Sequence, residues 1–305
     1  MSLYLKYRPR RLESVRGNLD ILPILDKLLV NNETAPHAFL LHGPTGCGKT
    51  TIARIIARRL GSRGHDLKEV NTADMRGIDT IRDIIQKSQY LPVESPCTLW
   101  IIDECHKLTN DAQNALLKIL EDTPDHAYFV LCTTEPQKLL PTIKGRCSQF
   151  QLKPLSDSEL TSLLKNVVRK EDDELTDDVY EIIVRDSGGL PRNALQILEQ
   201  VLQAPEKDRA KVAETAQFEY SQAIELCRAL IKKAPWKTVS TILRGLKEQE
   251  AETIRRIVLG YCQAVLISGK DEWQAGAIME EFINPFYDSG FPQLVYACYS
   301  ITKTK

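Results

Sequence analysis

Residues 38–50 read Ala-Phe-Leu-Leu-His-Gly-Pro-Thr-Gly-Cys-Gly-Lys-Thr, and the helix-period run 51–60 follows without a break. An apolar strand that enters a loop with three glycines and leaves it as a helix is the setting a phosphate-binding loop requires. Gly43, Gly46 and Gly48 let the backbone curl so that successive N–H groups face one anion, and the new helix points the positive end of its dipole at the same place. Lys49 supplies a cation for the β- and γ-phosphates of ATP, and Thr50 offers a hydroxyl to a partly hydrated Mg²⁺. Pro44, Thr45, Cys47 and Thr51 complete the candidate cradle. The plainer alternative is a glycine corner that only joins strand to helix.

Working outward, three more strand-like runs, 67–71 (LKEVN), 97–103 (CTLWIID) and 127–133 (AYFVLCT), each precede a helical pattern. Near-continuous apolar strands recurring about every thirty residues fit right-handed βαβ units, so we expect an α/β fold: a parallel sheet flanked by helices, with its chemistry at the strands' carboxyl ends. The run Trp100-Ile101-Ile102-Asp103-Glu104 ends in two acids. Asp103 would hold the Mg²⁺ shell and Glu104 would orient the attacking water, because phosphoryl transfer is catalysed by positioning and charge. A solvated surface pair is the alternative. Cys105 and His106 complete an Asp-Glu-x-His string shared with helicases of two motor domains. Such helicases need a second sheet, and everything after residue 154 reads as helix, so His106 is expected to pack or hydrogen-bond rather than react.

Basic and acidic residues nearly cancel, 40 against 41, for a net charge of −1 over 305 residues. Any nucleic-acid contact must then come from a local basic surface. The eight cysteines form no Cys-x-x-Cys pair, so neither zinc nor a disulfide framework is expected. Met1–Arg11 is basic without an apolar core, and no stretch reaches the ~18 apolar residues of a membrane span. A reducing cytoplasm and no membrane partner are the expectation.

Three domains are expected: a nucleotide-binding core over 1–154, a helical lid over 155–204 and an all-helical domain over 205–305. The lid carries helix patterns at 157–170, 176–186 and 191–203, and the last domain at 219–232, 236–247, 251–268 and 272–283, after a polar stretch at 205–209.

With these residues placed, the chain resembles the AAA+ clamp-loader ATPases, the family of the bacterial tau/gamma subunit and the small subunits of replication factor C. Lys6-Tyr7-Arg8-Pro9 and Leu12 are similar to the family's opening segment. That likeness implies that Tyr7, Arg8 and Val15 lie over the adenine. Asn71 to Asp79 resembles a segment leading into an inner helix that faces DNA, which makes Arg76 a candidate phosphate contact or, equally, an exposed arginine. On the helix-like run 110–121, Gln113 and Lys118 relay between DNA and ATP or lie on a solvated face. Cys132-Thr133-Thr134-Glu135 is similar to the sensor-1 strand end, and Thr134 would meet the γ-phosphate or cap a helix. Lys144-Gly145-Arg146-Cys147 resembles the family's Ser-Arg-Cys motif, implying that Arg146 is an arginine finger given to a neighbour's ATP. An intrachain salt bridge is its alternative. Gly189-Leu190-Pro191-Arg192 resembles the sensor-2 helix start, which brings Arg192 from the lid to the phosphates of its own subunit.

The resemblance implies an ATPase that opens a sliding clamp and places it on primer–template DNA. Its partners would be other clamp-loader subunits in a pentameric ring or spiral, the clamp and DNA, and residues 214–305 would form the oligomeric collar. The tau/gamma zinc module has no counterpart here, which suits a compact version, viral or otherwise divergent, working in a cytoplasm of its own or of a host. Two other readings stay open: an AAA+ motor for branch migration or helicase loading, and a structural subunit that binds nucleotide without turnover.

Overall fold

The computed structural model describes residues 2–30, 34–72, 77–215, 218–247, 251–267, 269, 271–286 and 289–303. Arg76 and Tyr287 lie outside the described residues. The chain divides into two compact units, Met1–Ala213 and Glu214–Lys305.

The first unit is built on five parallel strands: β1 (Ala38–His42), β2 (Leu67–Asn71), β3 (Thr98–Asp103), β4 (Ala127–Thr133) and β5 (Ser148–Gln151). Their order across the sheet is β2-β3-β4-β1-β5. Alternation along each strand sends side chains to two cores. Phe39, Leu41, Leu99, Ile101, Val130 and Cys132 meet helix α3 (Lys49–Arg59) on one face, through Ile52, Ile55 and Ile56. Leu40, Trp100, Ile102, Phe129 and Leu131 pack on the other face. There they meet α4 (Ile78–Ser88), α5 (Asn110–Glu121) and α6 (Pro141–Gly145), through Ile81, Ile84, Leu116, Ile119 and Ile143. Burial on both faces is why the inner strands read as unbroken apolar runs. β5 escaped the sequence reading because Ser-Gln-Phe-Gln buries only Phe150, and it pairs with β1 alone at the sheet's edge.

Short helices α1 (Leu3–Lys6) and α2 (Leu22–Leu28) precede the sheet, and α7 (Asp157–Lys170), α8 (Asp177–Ser187) and α9 (Pro191–Gln203) follow it, close to the three helix patterns read for the lid. Gly189, at φ 76°, lets the α8–α9 turn press on the segment before α7: a Cβ there would stand 2.7 Å from the Leu155 carbonyl oxygen. The Leu155 N–H donates to the Gly189 carbonyl at 2.8 Å across the same contact. Helix α10 (Arg209–Thr215) starts with Arg209, whose guanidinium makes a forked pair with Asp173 at 2.8 Å.

The secondary structure of the second unit's described residues is all helix: α11 (Phe218–Ile231), α12 (Trp236–Gly245), α13 (Ala251–Ile267), α14 (Glu272–Phe282) and α15 (Gly290–Lys303). Leu226, Leu243, Ile254, Val258, Phe282, Phe286 and Leu294 form its core. Trp273, by contrast, is 76% exposed. Among the described residues no helix is long and apolar enough to cross a membrane.

Candidate active site

β1 opens directly into the loop 43–48, and α3 begins at Lys49. Gly43 has φ 148°, and a Cβ there would meet the Leu152 carbonyl oxygen at 2.2 Å. Gly48, at φ 105°, holds the left-handed turn from which the helix starts. Only glycine adopts that backbone freely. Lys49 is 6% exposed, and its ammonium folds back over the loop to the carbonyls of Gly43 and Pro44, both at 2.9 Å.

β3 ends two strands from β1, with β4 between them, so the two strand ends are about 10 Å apart. The first turn of α3 spans that gap, and Thr50 Oγ1 donates to Asp103 Oδ2 at 2.7 Å. Asp103 Oδ1 accepts the Glu104 N–H at 3.0 Å. An alcohol oxygen and a carboxylate converging beside a second acid are a hard oxygen set, the kind Mg²⁺ takes together with water and phosphate. Among the described residues no three His, Cys, Asp or Glu side chains cluster as a metal cage. The eight thiols are buried and in no disulfide, and desolvation raises Cys97 to about 11 and Cys147 to about 12.

Glu104 occupies the left-handed region at φ 53°, which is strained for a residue with a Cβ. Its carbonyl accepts the Thr72 hydroxyl at 2.7 Å and the Lys107 N–H at 2.9 Å. His106 is half-buried alongside, with Nδ1 3.0 Å from Thr133 Oγ1 and 3.4 Å from Glu104 Oε2. The ring thus hydrogen-bonds, as expected for it, and burial holds its pKa below the usual imidazole value.

These groups line a cavity of about 910 Å³ between the loop, the N-terminal segment and helices α7 and α9. Thr45, Gly46, Cys47, Gly48, Lys49, Thr50 and Thr51 form one wall, Tyr7, Arg8 and Val15 another, and Arg192 with Lys170 the lid side. Gly43 and Pro44 lie outside the lining and serve through their carbonyls. Arg8 Nε donates to Thr51 Oγ1 at 2.9 Å, and burial beside Arg54 pulls its pKa down, with Glu69 opposing. Tyr7 donates its hydroxyl to the Glu171 carboxylate, which also takes Lys6 at 2.7 Å. Val15 rests on the first core, and Arg192 stands over the Tyr4 ring at 5.9 Å. Six cationic side chains and four carboxylates face the cavity, so its field favours an anion. Arg54, Glu69 and Lys170 are among those that escaped the sequence reading. Arg54 follows Thr50 by one helical turn, a spacing that could have found it, and it grips Glu69 at 2.5 and 2.6 Å. Lys170 comes from the lid's far end and carries no local signal.

Known proteins align with this architecture. A family model described as DNA polymerase III, delta subunit, matches residues 20–156. The gamma/tau subunit of DNA polymerase III from Mycobacterium tuberculosis is 35% identical over 225 residues, covering 66% of this chain and 39% of its own length. Replication factor C subunit 3 of Oryza sativa is 34% identical over 201 residues, covering 64% of this chain and 55% of its own. About two thirds of the chain is similar in sequence to these DNA polymerase III and replication factor C subunits. The chain spans about 39% of the length of the mycobacterial and Bacillus subtilis relatives. In fold it is also similar to the RuvB Holliday junction branch migration motor of Thermotoga maritima, at TM-score 0.61 and 20% identity over 79% of this chain and 87% of that one.

Thr134 and Arg146, also expected at a site, lie off the cavity as well. Thr134 follows the last residue of β4 without lining it, and it is the neighbouring Thr133 whose hydroxyl caps the Glu135 N–H at 3.0 Å. Arg146 ends α6 and forms an ion pair with Glu121, while its second nitrogen donates to the Thr142 carbonyl at 3.2 Å. Gln113 is 2% exposed, so the solvated face considered for it is excluded. It ties Leu108 and Lys138 carbonyls to the Leu140 N–H, joining the segment after β3 to the one after β4.

Proposed function

We propose that this chain is an ATP-hydrolysing subunit of a DNA sliding-clamp loader, acting in a pentameric ring or spiral of related subunits. The meeting of Thr50 and Asp103 at 2.7 Å inside an anion-favouring cavity carries this reading, together with the names of the relatives. The loop N–H groups and Lys49 hold the β- and γ-phosphates, and Tyr7, Arg8 and Val15 hold the base. Thr50 and Asp103 hold Mg²⁺, which when bound supplies charge across the phosphate oxygens. Glu104 orients water toward the γ-phosphorus, with Thr134 approaching it from the end of β4. Arg192 reaches the phosphates from the lid, so lid position reports the bound nucleotide.

Arg146 belongs to a neighbour's site in this reading. It stands away from its own cavity and pairs with Glu121 on the surface, as a residue awaiting another subunit can. A cation supplied in trans makes hydrolysis depend on assembly. The clamp and primer–template DNA are the proposed partners, met in the cytoplasm.

Phosphate release by the full chain, alone and with partner subunits, clamp and primed DNA, tests the proposal. Stimulation by clamp and DNA together is expected, with Arg146→Ala lowering it by roughly 10³-fold or more. Turnover indifferent to the clamp would point instead to a different AAA+ DNA motor, and nucleotide binding without turnover in any assembly to a structural subunit.

A further inference from the structure

We propose that His106 is a positioning residue, whose imidazole ties the Glu104 carboxylate to the end of β4 and so sets how it is aimed. The inference rests on reading Glu104 as the group that orients water. Glu104's backbone is already fixed: its N–H goes to Asp103 Oδ1 at 3.0 Å, and its carbonyl takes Thr72 Oγ1 and the Lys107 N–H. What remains free is its own side chain, and the His106 ring, on a side chain 6% exposed, stands 3.4 Å from its Oε2.

The ring is itself anchored. Nδ1 lies 3.0 Å from Thr133 Oγ1, and that hydroxyl is held because it accepts the Glu135 N–H at 3.0 Å. The Thr133 carbonyl in turn accepts the Gly43 N–H at 3.2 Å, at the start of the phosphate loop. One ring therefore links the acid after β3, the end of β4 and the loop after β1. The charges facing it are Glu104, Glu135, Lys138 and Lys107. Burial favours the neutral ring, and a neutral ring has one proton to place. Placed on Nδ1, it lies on the side of Thr133 Oγ1 and Glu104 Oε2 and holds that carboxylate; placed on Nε2, it faces the Glu135 carboxylate, whose Oε1 is 3.5 Å away, and leaves the Nδ1 lone pair toward Glu104.

The test is single-turnover hydrolysis by the full chain assembled with its partner subunits, clamp and primed DNA, with ADP affinity measured alongside, for His106→Ala, His106→Asn, Glu104→Gln and the Glu104→Gln/His106→Ala double variant. We expect His106→Ala to slow turnover by roughly tenfold or more with ADP affinity and KM nearly unchanged. His106→Asn, whose amide N–H can stand where Nδ1–H stood, recovers most of the loss. The double variant is no slower than Glu104→Gln alone, because His106 acts through Glu104. Independently of activity, imidazole ¹⁵N shifts, with the His106 signal identified by its loss in His106→Asn, are expected to show the Nδ1–H tautomer. The Nε2–H tautomer, additive losses in the double variant, or a turnover loss matched by lost ADP affinity would each overturn the inference. If Glu104→Gln itself leaves turnover intact, the reading of Glu104 fails first and takes this inference with it. If Glu104→Gln is inactive while His106→Ala is not slowed, only the inference fails.

Discussion

Thr50 and Asp103 stand 53 positions apart in the chain, and their 2.7 Å hydrogen bond is the point at which loop and strand become one site. Neither group gains much as an isolated hydrogen bond in a wet cavity, and on the proposed reading the contact keeps two oxygen ligands of Mg²⁺ at bonding distance. Replacing the hydroxyl by a methyl keeps the volume and removes the ligand. Thr50→Val is accordingly expected to weaken magnesium–nucleotide binding by roughly tenfold or more, while metal-free nucleotide binding changes little. Titration with a fluorescent nucleotide in the presence and absence of a chelator measures the difference; equal losses in both would remove Thr50 from the metal. Glu104 is the other residue with a distinctive state. A left-handed glutamate persists only where its surroundings over-determine it, and here three backbone hydrogen bonds do so.

At the scale of elements, the boundaries are set by local chemistry that the sequence displays. α7 starts on a capping box: Ser156 Oγ accepts the Glu159 N–H, and the Glu159 carboxylate accepts the Ser156 N–H at 2.9 Å. α9 starts with proline at its first position, and α8 stops at a left-handed Gly188. Ser156→Ala removes one half of the box and should lower the stability of the first unit by about 1 kcal/mol. A urea midpoint shifted down without a change of slope is the expected record, and no shift would mean that Glu159 alone caps the helix. The segment after α4 is held differently. Asp66, 3% exposed, accepts the N–H groups of Val93 and Glu94, both at 2.8 Å, across 27 and 28 residues. These backbone contacts are tertiary, and no local pattern around 91–95 announces them.

On the scale of the whole molecule, two compact units with separate cores imply two unfolding events rather than one. Their dependence on pH should differ, because the second unit buries an ion pair between helical neighbours. Glu252, 5% exposed, takes both nitrogens of the Arg255 fork at 2.7 and 2.8 Å and the Phe286 N–H at 3.0 Å. The Arg255 hydrogen bonds, against the cost of burial, hold its pKa at about 2, below an ordinary value of 4.5. The unfolded chain therefore binds a proton before the folded one does as pH falls. This contribution to stability is complete above about pH 4.5 and is lost progressively toward pH 2. Calorimetry between pH 7 and pH 3 should show the second unit's transition moving down, and Glu252→Gln should lower it at pH 7 by about 3 kcal/mol or more, because Arg255 is left buried without its partner. A transition unmoved by that substitution would show the pair to be neutral for folding.

How far the sequence could be read depended on whether the signal was local. The phosphate loop, the acid pair, the inner strands and the lid helices were legible, since their glycines, strand-end carboxylates and apolar periods lie within a few positions of each other. The edge strand β5, with one buried residue, and the helix Gly290–Lys303 were not singled out. Arg54, Glu69, Lys170 and Glu171 joined the site only when the chain closed, and Gln113 proved to be a buried tie between two loops. The sequence by itself determined which chemistry is present, because a phosphate cradle and paired acids are written in contiguous residues. Only the tertiary structure decided which groups meet: crossing from β1 to β3 brings Thr50 to Asp103, and β4, lying between them, places Thr133 against His106 beside Glu104.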